Sequence, residues 1–386
     1  MKIIYVKNNS ILNQEIEKAF MDLNCNLIYH YAPLSEDIND SSYLQSFLEM
    51  VKKHAPVFVF SPTFYPILSL ACGVLKIPYI VWLTEGYNKN YYSTFIRNEW
   101  NCIFAADSAV YKDLRNLGVE NIFFLPLGAP EFEESLLNIT DKGEYRADVS
   151  LIGNILARED FIYNPISMSS PLKDATKGYL EGCIACQHQF HGMESICSNL
   201  PGYIWEDLSK AYPPELENTL LNAQKYYEYN FFNPMITYAD REMRINCYTM
   251  EDRYQKINVY SKKSSCEFEG ISFREPLDYY KELPLAAMQS VINLVITHRN
   301  QRAMISPTAW AIMAAGGFML SNYQEDYSIL ETCPSIFNTE TEMLSLSAYY
   351  YHHEDERKDM ASKIKQEVIE KHTYRHRVQE LLAIIC

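Results

Sequence analysis

The sequence predicts an α/β protein built from two Rossmann-like domains. Short apolar segments alternate with helical segments over residues 1–145, the order that gives a parallel sheet covered by helices. A further apolar segment, residues 148–153 (DVSLIG), begins a second series of the same kind. The length of 386 residues is sufficient for two such domains. We therefore expect two sheets, each with helices on both faces.

The first domain is predicted from its apolar runs and their periodicity. Residues 56–61 (PVFVFS) are almost entirely apolar, which is typical of a parallel strand buried on both faces. A helix over 14–23 places Ile16, Ala19, Phe20 and Leu23 on one face. The remaining predicted strands are 2–6, 25–30, 78–83, 101–105 and 122–125, and the remaining helices are 42–54, 66–75 and 108–117.

The first strand is not followed by a GxGxxG sequence. That glycine pattern allows a dinucleotide to approach the backbone in Rossmann-type redox enzymes. An NAD-dependent epimerase or dehydrogenase, which the alternation alone would suggest, therefore loses support.

The second domain is predicted to contain a helical insertion over about 160–235. Helices are expected over 175–189 and 214–228 within it, and over 235–246 directly after it. A strand over 257–260 and a loop and helix over 277–289 follow, and the chain ends with the strand-like segment 335–338 and helices over 340–351 and 355–372.

The most informative stretch is 291–324, which reads as one βαβ unit. An apolar strand over 291–296 leads into a polar loop, and a helix follows over 306–315 with Ser306 as its cap and Pro307 in its first turn. Gly316 and Gly317 end the helix before a strand over 318–321. Ligands of open parallel sheets bind at the carboxyl ends of the strands, and a helix start offers unpaired N–H groups to a phosphate. The loop 297–306 is therefore the first place to expect a site.

Composition excludes some functions and partners. Hydrophobic residues make up 48% of the chain and charged residues 22%, so a sizeable core is expected. The formal charge of −15 argues against a nucleic-acid partner, which would require clustered Lys and Arg. No apolar run approaches the ~20 residues that span a bilayer, and the N-terminus lacks signal-peptide features. We expect a cytoplasmic protein whose ten cysteines are mostly reduced thiols.

Several segments, in this order and spacing, resemble the CgeB-like group of bacterial glycosyltransferases. They are VFVFSPTFYPILSLACGVLKIPYIVWLTEG (57–86), ENIFFLPLGAP (120–130), ADVSLIGN (147–154), KGYLEG (177–182), GISFREPLDYYKELP (270–284), INLVITHR (292–299), WAIMAAGGFMLSNYQED (310–326) and KHTYRHRVQELL (371–382). The resemblance implies the GT-B fold, with an acceptor-side domain over 1–145, a nucleotide-sugar domain over 146–365, and a C-terminal helix over 366–386 that crosses back to the first domain. It also implies transfer of a sugar from a nucleoside diphosphate sugar to a cell-surface glycan or protein.

The resemblance implies that donor-binding residues follow the strands of the second domain. Gly153 and Asn154 end its first strand, where a glycine lets a diphosphate approach the backbone; the alternative is a simple turn. Thr297, His298 and Arg299 end the central strand. An arginine there can pair with a phosphate and a histidine can act as acid or base, but both residue types are also common at a plain surface.

The helix that follows supplies the remaining candidates. Ser306, Thr308 and Gly316 are predicted to contact the donor, although Ser306 would cap the helix without any ligand. Related proteins commonly carry an Arg near the start of this helix and an acidic residue five positions before the first glycine; this chain has Thr308 and Ala311. Losing a charge-assisted hydrogen-bond pair to the ribose costs roughly 1.5–3 kcal/mol. A catalytically silent GT-B-like subunit or binding module that supports an active enzyme is therefore the alternative.

On the acceptor side, Glu85 follows the strand 78–83 and is the candidate general base; the alternative is a cap for the next segment. Phe64 and Tyr65 are predicted to line the acceptor cleft, with a core role as the alternative, and Trp82 is a further acceptor-side candidate.

We predict no metal and no cofactor beyond the nucleotide sugar. The cysteines and histidines over 183–197 include a CxxC pair, but a helical CxxC with no second pair favours buried thiols over a zinc site. The basic segment 371–377 either neutralises the acidic helix before it or docks the tail on the first domain. The expected partners are the sugar donor and a glycan or protein acceptor, without nucleic acid or an integral membrane segment. A homo- or hetero-oligomer is compatible with the sequence.

Overall fold

The computed structural model describes residues 1–34, 37–139, 143–153, 170–185, 200–232, 254, 256–261, 272–298 and 301–385. Over these residues the chain forms two six-stranded sheets in which every pair of neighbouring strands is parallel. The predicted fold class, two Rossmann-like domains, is confirmed.

The first sheet has the strand order β2-β1-β3-β4-β5-β6. Its strands are β1 Lys2–Lys7, β2 Asn26–Tyr31, β3 Phe58–Ser61, β4 Tyr79–Leu83, β5 Asn101–Ala105 and β6 Ile122–Phe124. Its helices are α1 Asn13–Asp22, α2 Ser41–His54, α3 Pro66–Leu75 and α4 Ser108–Asn116. Each prediction for this domain lies within two residues of the observed element. Every residue of β3, β4 and β5 is buried, because helices cover both faces of the sheet.

The second sheet has the order β12-β11-β10-β7-β8-β9. When the strands of this domain are numbered from β7 as 1 to β12 as 6, the sheet read from β9 has the order 3-2-1-4-5-6 of the doubly wound fold. Its strands are β7 Ala147–Ile152, β8 Ile257–Tyr260, β9 Ser272–Arg274, β10 Ser290–Val295, β11 Met319–Asn322 and β12 Ser335–Phe337. The remaining helices are α5 Glu134–Leu137, α6 Asp174–Ala185, α7 Gly202–Ala211, α8 Ala223–Tyr227, α9 Leu283–Gln289, α10 Pro307–Ala315, α11 Glu340–His352, α12 Glu354–Lys371 and α13 Tyr374–Ile385.

The insertion differs from its prediction. The helix expected over 214–228 is reduced to α8 and a short π-helical turn, Glu228–Phe232. The preceding residues instead form hydrogen bonds with the first domain: Leu220 N donates to Tyr92 O at 2.6 Å, and Thr94 N donates to Asn218 O at 2.9 Å. Helix α7 was not predicted. The expected helical residues 186–189 and 235–246 lie outside the described part of the chain.

The C-terminal helix crosses back to the first domain, as the resemblance implies. Helix α13 packs on α1, and Ala129 N donates to His372 O at 2.8 Å. Arg377, from the basic segment, is buried and donates to Leu127 O at 3.2 Å, so this part of the segment docks the tail. A side chain at Gly128 would meet Tyr374 N at 2.5 Å, so this close approach requires glycine. Within the described residues, no helix is both long and apolar enough to cross a membrane.

Candidate active site

Each sheet has one position where the strand order reverses, and ligands of such folds bind there, outside the carboxyl ends of the strands. In the first sheet this position lies between β1 and β3, and in the second it lies between β7 and β10. We call the corresponding clefts the first crevice, which begins at Asn8 and Thr63, and the second crevice, which begins at Gly153 and Thr297.

Buried polar atoms without hydrogen-bond partners among the described residues lie at the carboxyl ends of β10 and β11, beside the second crevice. Thr297 N donates to Asn322 Oδ1 at 2.7 Å, which fixes the end of β10 against β11. The side chains of Thr297 and Gln324 are 3% and 4% exposed, yet Thr297 Oγ1 and Gln324 Oε1 have no hydrogen-bond partner among the described residues. Leaving such groups unpaired costs about 1–3 kcal/mol each. A polar ligand in this crevice would recover part of that cost.

Gly153 and His298 also border the second crevice. Gly153 follows β7, is half-buried, and donates its N–H to Tyr260 O at 3.2 Å. His298 follows Thr297 and is half-exposed, so its ring lies at the edge of the sheet and not in the core. Their predicted positions at the ends of β7 and β10 are therefore correct. Asn154 and Arg299, the other candidates on these two strands, lie outside the described residues.

Helix α10 begins beside these strands, as predicted. Ser306 caps it by accepting a hydrogen bond from Ala309 N at 3.2 Å, and Pro307 occupies its first position. Proline has no N–H, and the N–H of Ala309 is already used by the cap. Among the first three helical residues, only Thr308 therefore retains an N–H for a ligand. Its side chain is half-exposed and adds a hydroxyl.

The rest of α10 is structural. Ala311 is fully buried in the main core cluster, so an acidic side chain at this position would be placed among apolar residues. Gly316 caps the other end of the helix with a φ of 85°, and a side chain there would meet Lys365 Cδ at 3.0 Å. Since nine helical residues rise about 13 Å, Gly316 lies far from Ser306. The donor contact predicted for Gly316 is therefore wrong.

The first crevice holds a cavity of about 260 Å³. Glu85 follows β4, is exposed, and accepts a hydrogen bond from Asn88 Nδ2 at 3.1 Å. Burial raises the pKa of Tyr65 to about 12, so its phenol remains protonated at neutral pH. The structure thus brings three predicted residues, Phe64, Tyr65 and Glu85, together in one cavity. The full lining is Asn8, Pro33, Leu34, Thr63, Phe64, Tyr65, Pro66, Ile67, Glu85, Asn88 and Asn90.

Two acceptor-side predictions need correction. Trp82 is fully buried, its Nε1 donates to Leu125 O at 2.9 Å, and its ring contacts that of Tyr374 edge-on at 6.0 Å. Trp82 therefore anchors the C-terminal helix and cannot touch an acceptor. The side chain of Phe64 is also fully buried and packs 6.1 Å from the ring of Tyr79, so it supports the cavity from beneath. The acceptor-side prediction for Trp82 is therefore wrong, whereas Phe64 belongs to the cavity lining with its side chain packed in the core.

Asp107 links the two crevices, which the sequence did not reveal. It follows β5, is fully buried, and caps α4 by accepting from Ala109 N at 2.8 Å and Val110 N at 3.3 Å. Its other oxygen accepts from Ala303 N at 3.1 Å and Met304 N at 3.4 Å, in the loop that leads into α10. Burial raises the pKa of this carboxyl, against the opposing effect of these hydrogen bonds. A first-domain carboxylate thereby fixes the donor-side loop.

Asp326 makes the reciprocal contact from the second domain. Its N–H donates to Ala303 O at 3.0 Å, and its carboxylate accepts from Ser108 N at 3.1 Å. Burial raises its pKa to about 6. Each domain therefore contributes one buried carboxylate to the joint beside the site.

A third contact includes the insertion. Arg302 donates to the carboxylate of Asp113, on α4, and to Tyr229 OH at 3.1 Å. The Tyr229 ring stacks against those of Tyr87 at 4.7 Å and Tyr92 at 4.9 Å. The donor-side loop, the insertion and the first domain consequently meet at one buried cluster.

No group of three or more His, Cys, Asp or Glu side chains within the described residues could hold a metal ion. The cysteine-rich segment cannot be assessed in the same way. Cys186, His188, His191 and Cys197 lie outside the described residues, as does the side chain of Cys183. Cys25, Cys72 and Cys102 are buried cysteines.

Comparisons with known proteins agree with this geometry. The sequence profile of a family described as Glycosyl transferase-like matches residues 231–383, which include β10 and α10. No protein of curated function matches the chain by sequence.

Three solved structures resemble the whole chain. A glycosyltransferase from Rickettsia africae is 10% identical with a TM-score of 0.51, and the match covers 99% of this chain and 97% of that one. HepE from Anabaena, in complex with UDP-glucose, is 10% identical with a TM-score of 0.50 and coverages of 100% and 99%. A sucrose-phosphate synthase from Thermosynechococcus elongatus is 8% identical with a TM-score of 0.53 and coverages of 100% and 98%. At such low identities these likenesses show the fold, which is GT-B.

Proposed function

We propose that the protein is a glycosyltransferase that moves a sugar from a nucleoside diphosphate sugar to a glycan or protein acceptor of the cell surface. The observation that carries the proposal is the arrangement of two crevices beside one interdomain joint. The β10 and α10 side of the second crevice lies within the Glycosyl transferase-like match. The first crevice has a carboxylate, Glu85, beside an open cavity. We further propose that it works in the cytoplasm and that it belongs to the CgeB-like group, whose segments it shares.

In this proposal the donor diphosphate binds at the start of α10. Thr308 supplies the N–H and the hydroxyl, and Gly153 allows the ligand to approach β7 closely. Thr297 and Gln324 lie at the adjacent strand ends, where their unpaired polar atoms would bind the nucleoside or the sugar. Asn154 and Arg299 remain proposed donor contacts. UDP-glucose is the first donor to test, because HepE has been solved in complex with it.

Glu85 is the proposed general base. It would accept the proton of the acceptor hydroxyl while that oxygen attacks the anomeric carbon. The bond from the anomeric carbon to the diphosphate breaks, and the nucleoside diphosphate leaves with the bonding electron pair. His298 is a second proposed acid–base group, on the donor side. Thr308, with the partial positive charge of its helix, would stabilise the leaving group.

We propose that transfer needs no metal ion, since the helix start takes over the neutralisation of the diphosphate. Activity is then expected to survive EDTA unchanged. Loss of activity on chelation, with recovery on adding Mg²⁺ or Mn²⁺, would contradict this part of the proposal.

The direct test is incubation with a panel of UDP-, GDP-, ADP- and dTDP-sugars, with release of the nucleoside diphosphate as the readout. We expect one donor class to be turned over, and the same class to raise the melting temperature. A ligand at 100 times its dissociation constant adds about 2.7 kcal/mol of stability. No release and no thermal shift with any donor would contradict the proposal.

The alternative is a catalytically silent GT-B-like subunit or binding module, which Thr308 and Ala311 favour. Restoring both charged residues is a poor test, since a carboxylate at position 311 would be buried in the core. Thr308→Arg alone adds the missing charge at a half-exposed position. If donor affinity appears only in this variant, the silent-subunit alternative is correct.

A further inference from the structure

We propose that the groove between the first domain and the insertion binds an uncharged oligosaccharide, as the extended part of the acceptor. This inference rests on the proposed function and specifies the acceptor class for the same site. Its cavity measures about 710 Å³.

The groove is formed by segments distant in sequence. One wall is the first domain at Pro66 and over the two 3₁₀ turns Lys89–Tyr92 and Thr94–Arg97. The other wall is the insertion, where Tyr212 and Tyr226 line the cavity. More than 100 residues separate the two walls in the sequence, so the groove exists only because the chain folds them together.

Backbone pairing keeps the walls in place. Ser93 and Thr219 form an antiparallel bridge, flanked by hydrogen bonds between Thr94 N and Asn218 O at 2.9 Å and between Leu220 N and Tyr92 O at 2.6 Å. Tyr87 OH also donates to Asn230 Oδ1 at 3.2 Å. The groove is therefore a preformed part of the first domain's binding face, and a ligand would not have to bear the cost of assembling it.

The groove continues from the first crevice. Pro66 and Asn90 line both cavities. Drug-sized ligands occupy pockets of about 300–1,000 Å³. The cavity at Glu85, about 260 Å³, falls below this range, whereas the groove, about 710 Å³, lies well inside it. An acceptor whose reacting hydroxyl meets Glu85 can thus extend several sugar units into the groove.

The lining chemistry selects an uncharged ligand. Tyrosine rings and the amides of Asn90, Asn218 and Asn230 offer stacking faces with both donors and acceptors for hydroxyl groups. Glu215 and Glu217 are exposed carboxylates in the described lining, and Lys89 is its one cation. Together with a chain charge of −15, this balance disfavours acceptors rich in uronic acid, sulfate or phosphate.

The test is binding of the full-length protein to arrayed oligosaccharides of one to six units. The probes are neutral gluco-, galacto-, manno- and N-acetylated series, with uronate-bearing and sulfated sets beside them. We expect at least one neutral series to be bound, with affinity rising about tenfold or more between one unit and four. No neutral binding, no dependence on length, or preference for an anionic set would overturn the proposal.

Two variants connect the binding to the groove. Tyr226→Ala is expected to weaken the four-unit ligand about tenfold while the one-unit ligand changes little. Glu217→Lys is expected to gain binding of the sulfated set, whereas Glu181→Lys, an equal charge change at an exposed position outside the groove lining, is not. Equal effects of the two Lys variants would contradict the assignment. Unchanged melting temperatures confirm that each variant is folded.

Donor turnover separates this inference from the proposed function. Hydrolysis of the donor in the absence of acceptor is therefore measured on the wild-type protein beside its glycan binding. Donor turnover without length-dependent glycan binding would contradict only the proposal that the groove binds an oligosaccharide. Glycan binding without any donor turnover would contradict the proposed enzyme activity but would support the proposed glycan-binding site.

Discussion

The first and second crevices use opposite kinds of surface. The first is open and polar, with Glu85 and Tyr65 around a cavity that continues into a groove. The second offers fewer available polar groups among the described residues: Ala311 is buried and Ser306 is occupied by capping. In the proposed function, the described part of the donor site thus offers few polar atoms, whereas the proposed acceptor site has a larger surface. The specificity of this chain is consequently expected to lie on its acceptor side.

The largest expected effect comes from Glu85→Gln in the first crevice. A general base contributes about 10²–10⁴-fold to a rate. Glutamine keeps the size and the hydrogen-bond acceptor for Asn88 but cannot accept the proton. We expect kcat for sugar transfer to fall by that factor while calorimetric donor affinity stays the same. An unchanged kcat in this variant would show that Glu85 is not the general base.

Asp107→Ala tests the joint between the crevices. The buried carboxylate accepts from four backbone N–H groups, two in each domain, and the alanine variant leaves them unpaired. We expect a loss of about 2–4 kcal/mol in the free energy of unfolding by urea. Asp40→Ala, at the half-exposed cap of α2, provides a matched control with a smaller expected loss, because Asp40 caps one helix only. Equal losses in the two variants would show that the joint contributes nothing beyond capping.

The raised pKa of Asp326 makes the stability contributed by the same joint depend on pH. Its pKa is raised from 3.8 to about 6, so between these values the folded state holds more protons than the unfolded state. Stability therefore falls as pH rises through this window, by up to about 3 kcal/mol.

Asp326→Asn retains an oxygen that can accept from Ser108 N but carries no charge. We expect unfolding free energies measured between pH 4 and 7 to show a flatter profile than wild type, with the variant gaining on wild type as pH rises. Parallel profiles would contradict the raised pKa.

The smallest effect is expected at Thr297 in the second crevice. Thr297→Val removes a buried hydroxyl that has no partner among the described residues. We expect a gain of about 1 kcal/mol in stability without ligand, together with weaker donor binding. Thermal melting with and without donor measures both. A loss of stability would indicate that the hydroxyl is already satisfied in the free protein.

The first domain could be predicted from the sequence because its signals are local. Continuous apolar strands such as Tyr79–Leu83 and helix starts such as Pro66 depend on neighbouring residues alone. The same is true of the capping of α10 by Ser306. The helix predicted over 214–228 is mostly absent. Asn218 and Leu220 form backbone hydrogen bonds with Thr94 and Tyr92 in place of helical ones.

Only part of the candidate site could be predicted from the sequence, because local signals are visible in a sequence and long-range contacts are not. Glu85 and Thr297 could be found because each follows a predicted strand within two residues. Asp107 also follows a strand, but its role depends on Ala303, almost 200 residues later. Trp82 was assigned to the cleft because the sequence does not show which face the C-terminal helix covers.

Amide hydrogen exchange with and without the turned-over nucleotide sugar tests the central claim, that the donor binds in the second crevice. We predict slower exchange at Thr297, His298 and Thr308 when the donor is present, and little change around Asn8 and Glu85. Protection confined to the first crevice, or no protection in a protein that turns the donor over, would contradict the account.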